Sequence, residues 1–417
     1  MHMLDDPWQS RFAARTARML PSEVRALFAT AAREEIISLA GGMPDVGALP
    51  LGTVGDMVGD IITSQGRTAL QYGAAQGHPA LRESICRVMA EEGLHARPDD
   101  VVVTVGSQQA LDLVARLFID PGDSVVAEAP TYVTALTVFA AHQADITQVQ
   151  IDEEGVLPGS LAETFARLAA VGKPAKFFYT VPTFQNPTGV TMSEGRRQDV
   201  LEVCRRAGVP VVEDNPYGLL RYEGEPRRPL RADAYDVIYL GSFSKTLAPG
   251  LRVGWALAPA SVRGKLVLAA ESAMLSHSSL AQMTVDRYLR TQPWRTRLAA
   301  LREMYAARRD AMLQALEEYM PRSVRWTLPH GGFFVWLTLP EPLDSKRMLD
   351  EALAAGVAYV PGTGFYADGR GHRELRLSFC LPDPGEVGEG VRRLASVIDR
   401  NLDVRLPRRP ELSLSAG

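Results

Sequence analysis

Lys245 lies within Val237-Ile-Tyr-Leu-Gly-Ser242-Phe-Ser244-Lys245-Thr-Leu-Ala-Pro-Gly250-Leu-Arg252-Val-Gly254, a stretch that brings together residue types able to do amine chemistry. The apolar run from Val237 to Leu240 predicts a buried strand, and the glycine and small polar loop after it mark its end. An amine on a flexible stem at such a place is desolvated, holds its proton less firmly and becomes a nucleophile towards an aldehyde. Ser242 and Ser244 add hydroxyl donors, and Arg252 adds a forked cation that suits a phosphate. Together they point to pyridoxal 5'-phosphate held as a Schiff base. Taken alone, the same motif more often marks a surface lysine in a loop, so the elements around it have to decide.

Those elements read as strands near 101, 124, 176, 209 and 237 separated by helical patterns, which calls for a largely parallel sheet with helices on both faces. Ligands of such sheets bind beyond the carboxyl ends of the strands, and the polar residues of interest lie there. Val101 to Val105 is followed by Gly106-Ser107-Gln108, a helix N-terminus presenting free N–H groups to an anion. Tyr132 follows the strand at Ser124–Glu128, placed to stack on a flat ring. Asn186 stands in a proline-rich loop after Lys176–Thr180 as a donor to an oxygen. Asp214 ends the buried run at Val209 and needs a cationic or hydrogen-bonded partner, a protonated pyridine nitrogen or a helix terminus. Before the sheet, Ser22 caps a helix through Arg25 and Phe28, Gly41-Gly42 permits close backbone approach to a ligand, and Tyr72 offers a phenol on a glycine-rich loop. Ser160 and Glu163 have capping-box spacing, which predicts a helix start at Ser160.

After Gly254 the pattern is helical, ending in a long connector from Trp294 to Tyr319, and beyond it strands and helices form an α+β second domain. Arg376 lies there between apolar neighbours, where a guanidinium needs an anion: a substrate carboxylate or a structural salt bridge. The chain divides into an N-terminal arm and helix over 1–50, a large cofactor-binding domain over 51–293, a small domain over 294–404 and a loose tail over 405–417.

Composition narrows the function. Lys plus Arg number 45 against 49 Asp plus Glu, so no basic stripe favours nucleic acid as a partner. No uncharged run is long enough for a bilayer, and the start lacks a signal peptide's basic and apolar regions. Cys86, Cys204 and Cys380 lack metal-ligand spacing and are odd in number, which predicts no metal site, no disulfide framework and a cytoplasmic location.

From Ser22 to Leu402 these motifs together resemble the fold-type I pyridoxal-phosphate enzymes, specifically the class I/II aminotransferases of the kynurenine/α-aminoadipate group. The resemblance implies a seven-stranded-type, mainly parallel α/β sheet with a smaller α+β domain. It makes Lys245 the Schiff-base lysine, sets Asp214 against the pyridine nitrogen, and gives Tyr217 and Asn186 the ring hydroxyl. Tyr132 stacks on the ring, and Ser107, Gln108, Ser242, Ser244 and Arg252 hold the phosphate. Tyr72 reaches the phosphate of a neighbouring subunit, implying a homodimer. Arg376, with Asn186 and the backbone at Gly42, binds the substrate carboxylate, and Arg25 approaches its side chain. Leu49 and Ala74-Ala75 depart from the group near the substrate mouth.

The reading is therefore a ping-pong aminotransferase working between an L-amino acid and a 2-oxo acid, possible in a biosynthetic role, with Lys245, Asp214 and Tyr217 catalytic. The same first shell also serves β-lyase, oxidase or decarboxylase chemistry, since a fold does not fix the fate of the substrate. A non-catalytic ligand-sensing domain ranks below both.

Overall fold

A computed structural model describes residues 8–19, 33 and 35–405. The helix expected around Ser22 to Phe28, including Arg25, and the tail beyond 405 lie outside the described residues. A two-residue strand β1 (Ile37–Ser38) leads to helices Leu51–Ala69 and Pro79–Ala90. The large sheet is built from β2 (Val101–Thr104), β3 (Ser124–Ala129), β4 (Asp145–Asp152), β5 (Gly155–Val156), β6 (Phe178–Thr180), β7 (Val211–Asp214), β8 (Ile238–Ser242) and β9 (Gly254–Leu257). Their spatial order is β2-β9-β8-β7-β6-β3-β4-β5.

The pairs β8–β7, β7–β6, β6–β3 and β3–β4 are parallel. β9 runs antiparallel to both β8 and β2, so β2 shares the direction of the parallel strands. The two-residue β5 extends the edge antiparallel to β4. Helices cover both faces, and the strands obey the two-residue alternation this requires. Val125, Ala127 and Val212 pack with the helix Ser107–Phe118, whereas Val126, Phe178 and Val211 pack with Leu161, Phe165 and Val200 on the other side.

Two expectations change here. The helix with Ser160 begins at Pro158, so Ser160 lies inside its first turn and makes no cap; proline's fixed φ starts the helix two residues earlier. The run after Gly254 is a strand, β9, before it is a helix, Ala260–Met274.

The connector helix spans Trp294–Tyr319. It packs on the last helix, Pro384–Arg405, and both rest against a four-stranded sheet. That sheet contains β10 (Arg325–Trp326), β11 (Phe334–Thr338), β13 (Val360–Pro361) and β14 (Glu374–Ser378), while β12 (Val357–Ala358) pairs with β1. In β11 and β14, Val335, Leu337, Leu375 and Leu377 join the helical core. Alternation sends Phe334, Trp336 and Arg376 to the opposite face, Trp336 directly across from Arg376. Burial of the first set is what fixes the direction of the second.

Candidate active site

Five of the strands that run in the common direction deliver a polar group at their carboxyl ends. β2 leads through Gly106 to the helix opening with Ser107; β3 ends before Tyr132; β6 runs into the loop of Asn186; β7 ends at Asp214; β8 ends at Ser242. The second sheet faces these ends with Arg376 and Phe334. Between them is a cavity of about 240 Å³ lined by Gly42, Ser107, Tyr132, Asn186, Asp214, Tyr217, Lys245 and Arg376, with Met43, Val133, Thr134, Val181, Pro216 and Phe334 completing the wall.

At one end Lys245 Nζ donates to the carbonyl of Gly42 at 2.9 Å. Burial lowers its pKa to about 8, with the nearby Arg376 and Arg252 acting in the same sense. Cys380 and, to a smaller extent, Asp214 only partly offset this. A lysine so placed has an appreciable neutral fraction near neutral pH, which its surface counterparts lack.

Asp214 is buried, and removal from water pushes its carboxyl up to about 6. The Tyr179 hydroxyl donates to Oδ2 at 3.0 Å and pulls the other way, as do Lys245 and Ser107. Oδ1 has no partner. A buried carboxylate oxygen left open on a cavity wall calls for a donor from a ligand.

The other end is a cup for an anion. Ser242 Oγ donates to Ser244 Oγ at 2.8 Å, and Arg252 donates to Ser244 Oγ at 3.4 Å and to the carbonyl of Val105 at 2.8 Å. The Arg252 backbone is left-handed, at φ 52°, which turns its side chain back to the helix start. Gly106 has φ +77°, and a Cβ there would meet the Arg252 guanidinium at 2.5 Å. A Cβ on Gly254 would meet the backbone of Gly106 at 2.6 Å and Ser107 N at 2.7 Å. Both glycines are needed for the strand end, the helix N-terminus and the arginine to converge.

Arg376 is buried over the ring of Phe334, 4.1 Å from its centroid, and donates to Asn186 Oδ1 at 2.9 Å and to the carbonyl of Ala40 at 2.8 Å. Burial lowers its pKa to about 10, so it stays charged at neutral pH. Its Nε has no partner, and no carboxylate of the protein pairs with it among the described residues. The structural salt bridge weighed from the sequence is therefore absent there.

Of the residues singled out from sequence, eight line the cavity, Ser242, Ser244 and Arg252 form the adjoining cup, and Gln108 follows Ser107 in the helix. Tyr72 does not reach the cavity of its own chain; it is 76% exposed on the surface. Tyr179 and Phe334, the supports under Asp214 and Arg376, carried no signal beyond ordinary buried strand residues. Among the described residues no cluster of His, Cys, Asp and Glu is placed to hold a metal, and no helix is long and apolar enough to cross a membrane.

A flat heteroaromatic ring with a phosphate arm and an aldehyde fits this donor set: an open carboxylate oxygen, an anion cup and a desolvated amine. The family profile of aminotransferase class I and II matches residues 34–394. An aromatic-amino-acid aminotransferase of Thermococcus litoralis is 42% identical over 95% of both chains, and a 2-aminoadipate transaminase of Thermus thermophilus is 38% identical over 94% of this chain and 97% of its own. The crystal structure of a Pyrococcus horikoshii kynurenine aminotransferase, in complex with PMP, superposes with a TM-score of 0.91 at 42% identity, covering 96% of this chain and 100% of that one.

Proposed function

The chain belongs to the class I and II aminotransferases, and from that premise we propose how its cavity carries out the reaction. It is a pyridoxal 5'-phosphate-dependent transaminase acting on amino acid and 2-oxo acid substrates. When bound, the cofactor supplies the electron sink and carries the amino group between the two substrates. In our reading the substrates take turns at one site, a ping-pong order.

Lys245 Nζ ties the cofactor down at rest and, once released, moves the proton at the substrate Cα. With the cofactor bound, Asp214 would serve the ring nitrogen and favour its protonated form, Tyr217 and Asn186 would serve the ring hydroxyl, and Tyr132 would offer its ring for stacking. Ser107, Gln108, Ser242, Ser244 and Arg252 take the phosphate. Arg376, held by Asn186, takes the substrate α-carboxylate as a fork, with the Gly42 backbone alongside. The observation that carries this reading is the meeting of a desolvated amine, a carboxylate with an open oxygen and a charged, carboxylate-free arginine around one cavity.

For the amino donor we favour a large apolar or aromatic side chain. Met43, Val133, Val181 and Phe334 are apolar walls, and the cavity's two lining cations, Lys245 and Arg376, already have roles. The relatives named above act on aromatic amino acids, kynurenine and 2-aminoadipate according to their descriptions. The exposed Tyr72, beside exposed Leu70 and with Leu275 also on the surface, supports a homodimer in which Tyr72 serves the neighbouring site. Residues 51–293 and 294–404 are taken as the two domains of each subunit. Three free cysteines suit a cytoplasmic setting.

The reading is tested by Arg376→Lys. A lysine cannot reproduce the fork, so half-saturation with any amino acid should rise about 10- to 100-fold while the bound cofactor spectrum is kept. Unchanged half-saturation in stopped-flow half-reactions would remove Arg376 from substrate binding. A second expected result concerns pH. With Lys245 near pKa 8 in the cofactor-free protein, the rate of covalent capture of pyridoxal 5'-phosphate should climb about tenfold per pH unit and level off above about pH 8. Absorbance traces showing a plateau only near the pKa of an exposed lysine would contradict the desolvated setting.

A further inference from the structure

The two oxygens of Asp214 have unlike surroundings, and the residue responsible is not one that contacts the cavity. Tyr179, in the middle of β6, pairs in register with Val212 of β7. Two residues along β7, and therefore on the same face, is Asp214. Tyr179 is fully buried, its ring packs edge-on against Phe139 at 5.5 Å, and its hydroxyl meets Asp214 Oδ2 at 3.0 Å. Full burial and the Phe139 contact hold the ring, and the hydroxyl ends at hydrogen-bond distance from Oδ2.

We infer that Tyr179 is a positioning residue for the cofactor: by occupying Oδ2 it turns Oδ1 to the ring nitrogen and holds Asp214 in its charged form. This rests on the reading, given above, that Asp214 faces that nitrogen. A carboxylate bound to one fixed donor cannot rotate freely about its terminal torsion, which is otherwise broad. A buried carboxylate is also costly to ionise, and a donor to the charged form offsets part of that cost. The reverse transfer is closed, because burial and the adjacent carboxylate raise the Tyr179 phenol well above its ordinary value. The other titratable or polar groups acting on Asp214 are Lys245 and Ser107, which favour its charge, and the buried phenols of Tyr132, Tyr217 and Tyr239. Those three phenols are likewise raised by burial and stay neutral.

Tyr179→Phe removes the hydroxyl and keeps the packed ring. Titrating the cofactor-free protein with pyridoxal 5'-phosphate, followed by visible absorbance, should show a dissociation constant about 10- to 100-fold higher. Without the donor the Asp214 pKa rises, so the pH below which binding weakens should move upward. The cofactor-free variant should melt somewhat lower, because a buried carboxylate loses a donor, and the upward shift of the pH midpoint for binding is the readout that a merely structural role would not move. In an Asp214→Asn background, itself weaker in binding, Tyr179→Phe should add less than about threefold. Parent-like affinity and pH midpoint in Tyr179→Phe overturn the inference, as does an undiminished loss in the Asp214→Asn background. If Asp214→Asn alone binds like the parent, the premise about Asp214 fails and takes this inference with it.

Discussion

Lys245→Ala is expected to lower transaminase turnover by about 10⁴-fold or more while the protein still binds pyridoxal 5'-phosphate through its phosphate cup. The magnitude follows from losing both the covalent anchor and the group that moves the Cα proton, and losses at groups acting as a unit do not simply add. The binding half of the expectation has a separate origin. Ser242, Ser244, Arg252 and the carbonyl of Val105 hold one another through hydrogen bonds that do not involve Lys245. Steady-state turnover with a 2-oxo acid acceptor, set beside equilibrium dialysis of the cofactor, measures the two halves. Turnover within tenfold of the parent would place the proton-moving group elsewhere.

Asp214→Asn is expected to cost about 10³-fold in kcat, because a preorganised charge facing the site of electron withdrawal is replaced by a neutral amide of nearly the same shape. The sign of the pH dependence follows from the folded pKa. In the cofactor-free protein the carboxyl is raised to about 6, chiefly by burial, so it is charged above that value and neutral below it. Cofactor capture by the parent should therefore weaken as pH falls through about 6. The Asn variant should lose that acid limb and keep the alkaline one set by Lys245. Rates of cofactor capture by the cofactor-free proteins across pH give both numbers, and an Asn variant retaining the parent's acid limb would assign it to another group.

The large sheet could be read from sequence in most of its parts because its strands are buried on both faces and show as unbroken apolar runs, as at Val101–Val103 and Val237–Leu240. The polar groups were legible for a related reason: each ends such a run, where a buried strand has no other use for an aspartate or a serine. Three strands escaped, among them the two-residue β5. β4 carries Asp145, Thr147, Gln148 and Gln150 and is only partly buried near the sheet's edge, so its pattern is not that of a core strand. β9 has four residues and follows Arg252 with hardly a loop, too short for periodicity to separate it from the helix behind it.

The supporting residues were hidden differently. Tyr179 gains its meaning from β6 lying beside β7 in a particular register, and Phe334 from the way β14 sets Arg376 above its ring. Neither relation is local in sequence. The helix start at Pro158 shows the converse, a local signal at Ser160 overruled by a stronger local signal two residues earlier. Arg25, which the resemblance sets near the substrate's side chain, lies outside the described residues, and Leu49 packs partly buried against the core.

The central claim is that one amine, Lys245 Nζ, is the point of covalent attachment. Reduction of the cofactor-loaded protein with borohydride, followed by proteolysis and mass mapping of the labelled peptide, tests it directly. The account expects a single pyridoxyl label on Lys245. A label on a different lysine, or none on a protein that retains its visible absorbance, would contradict it.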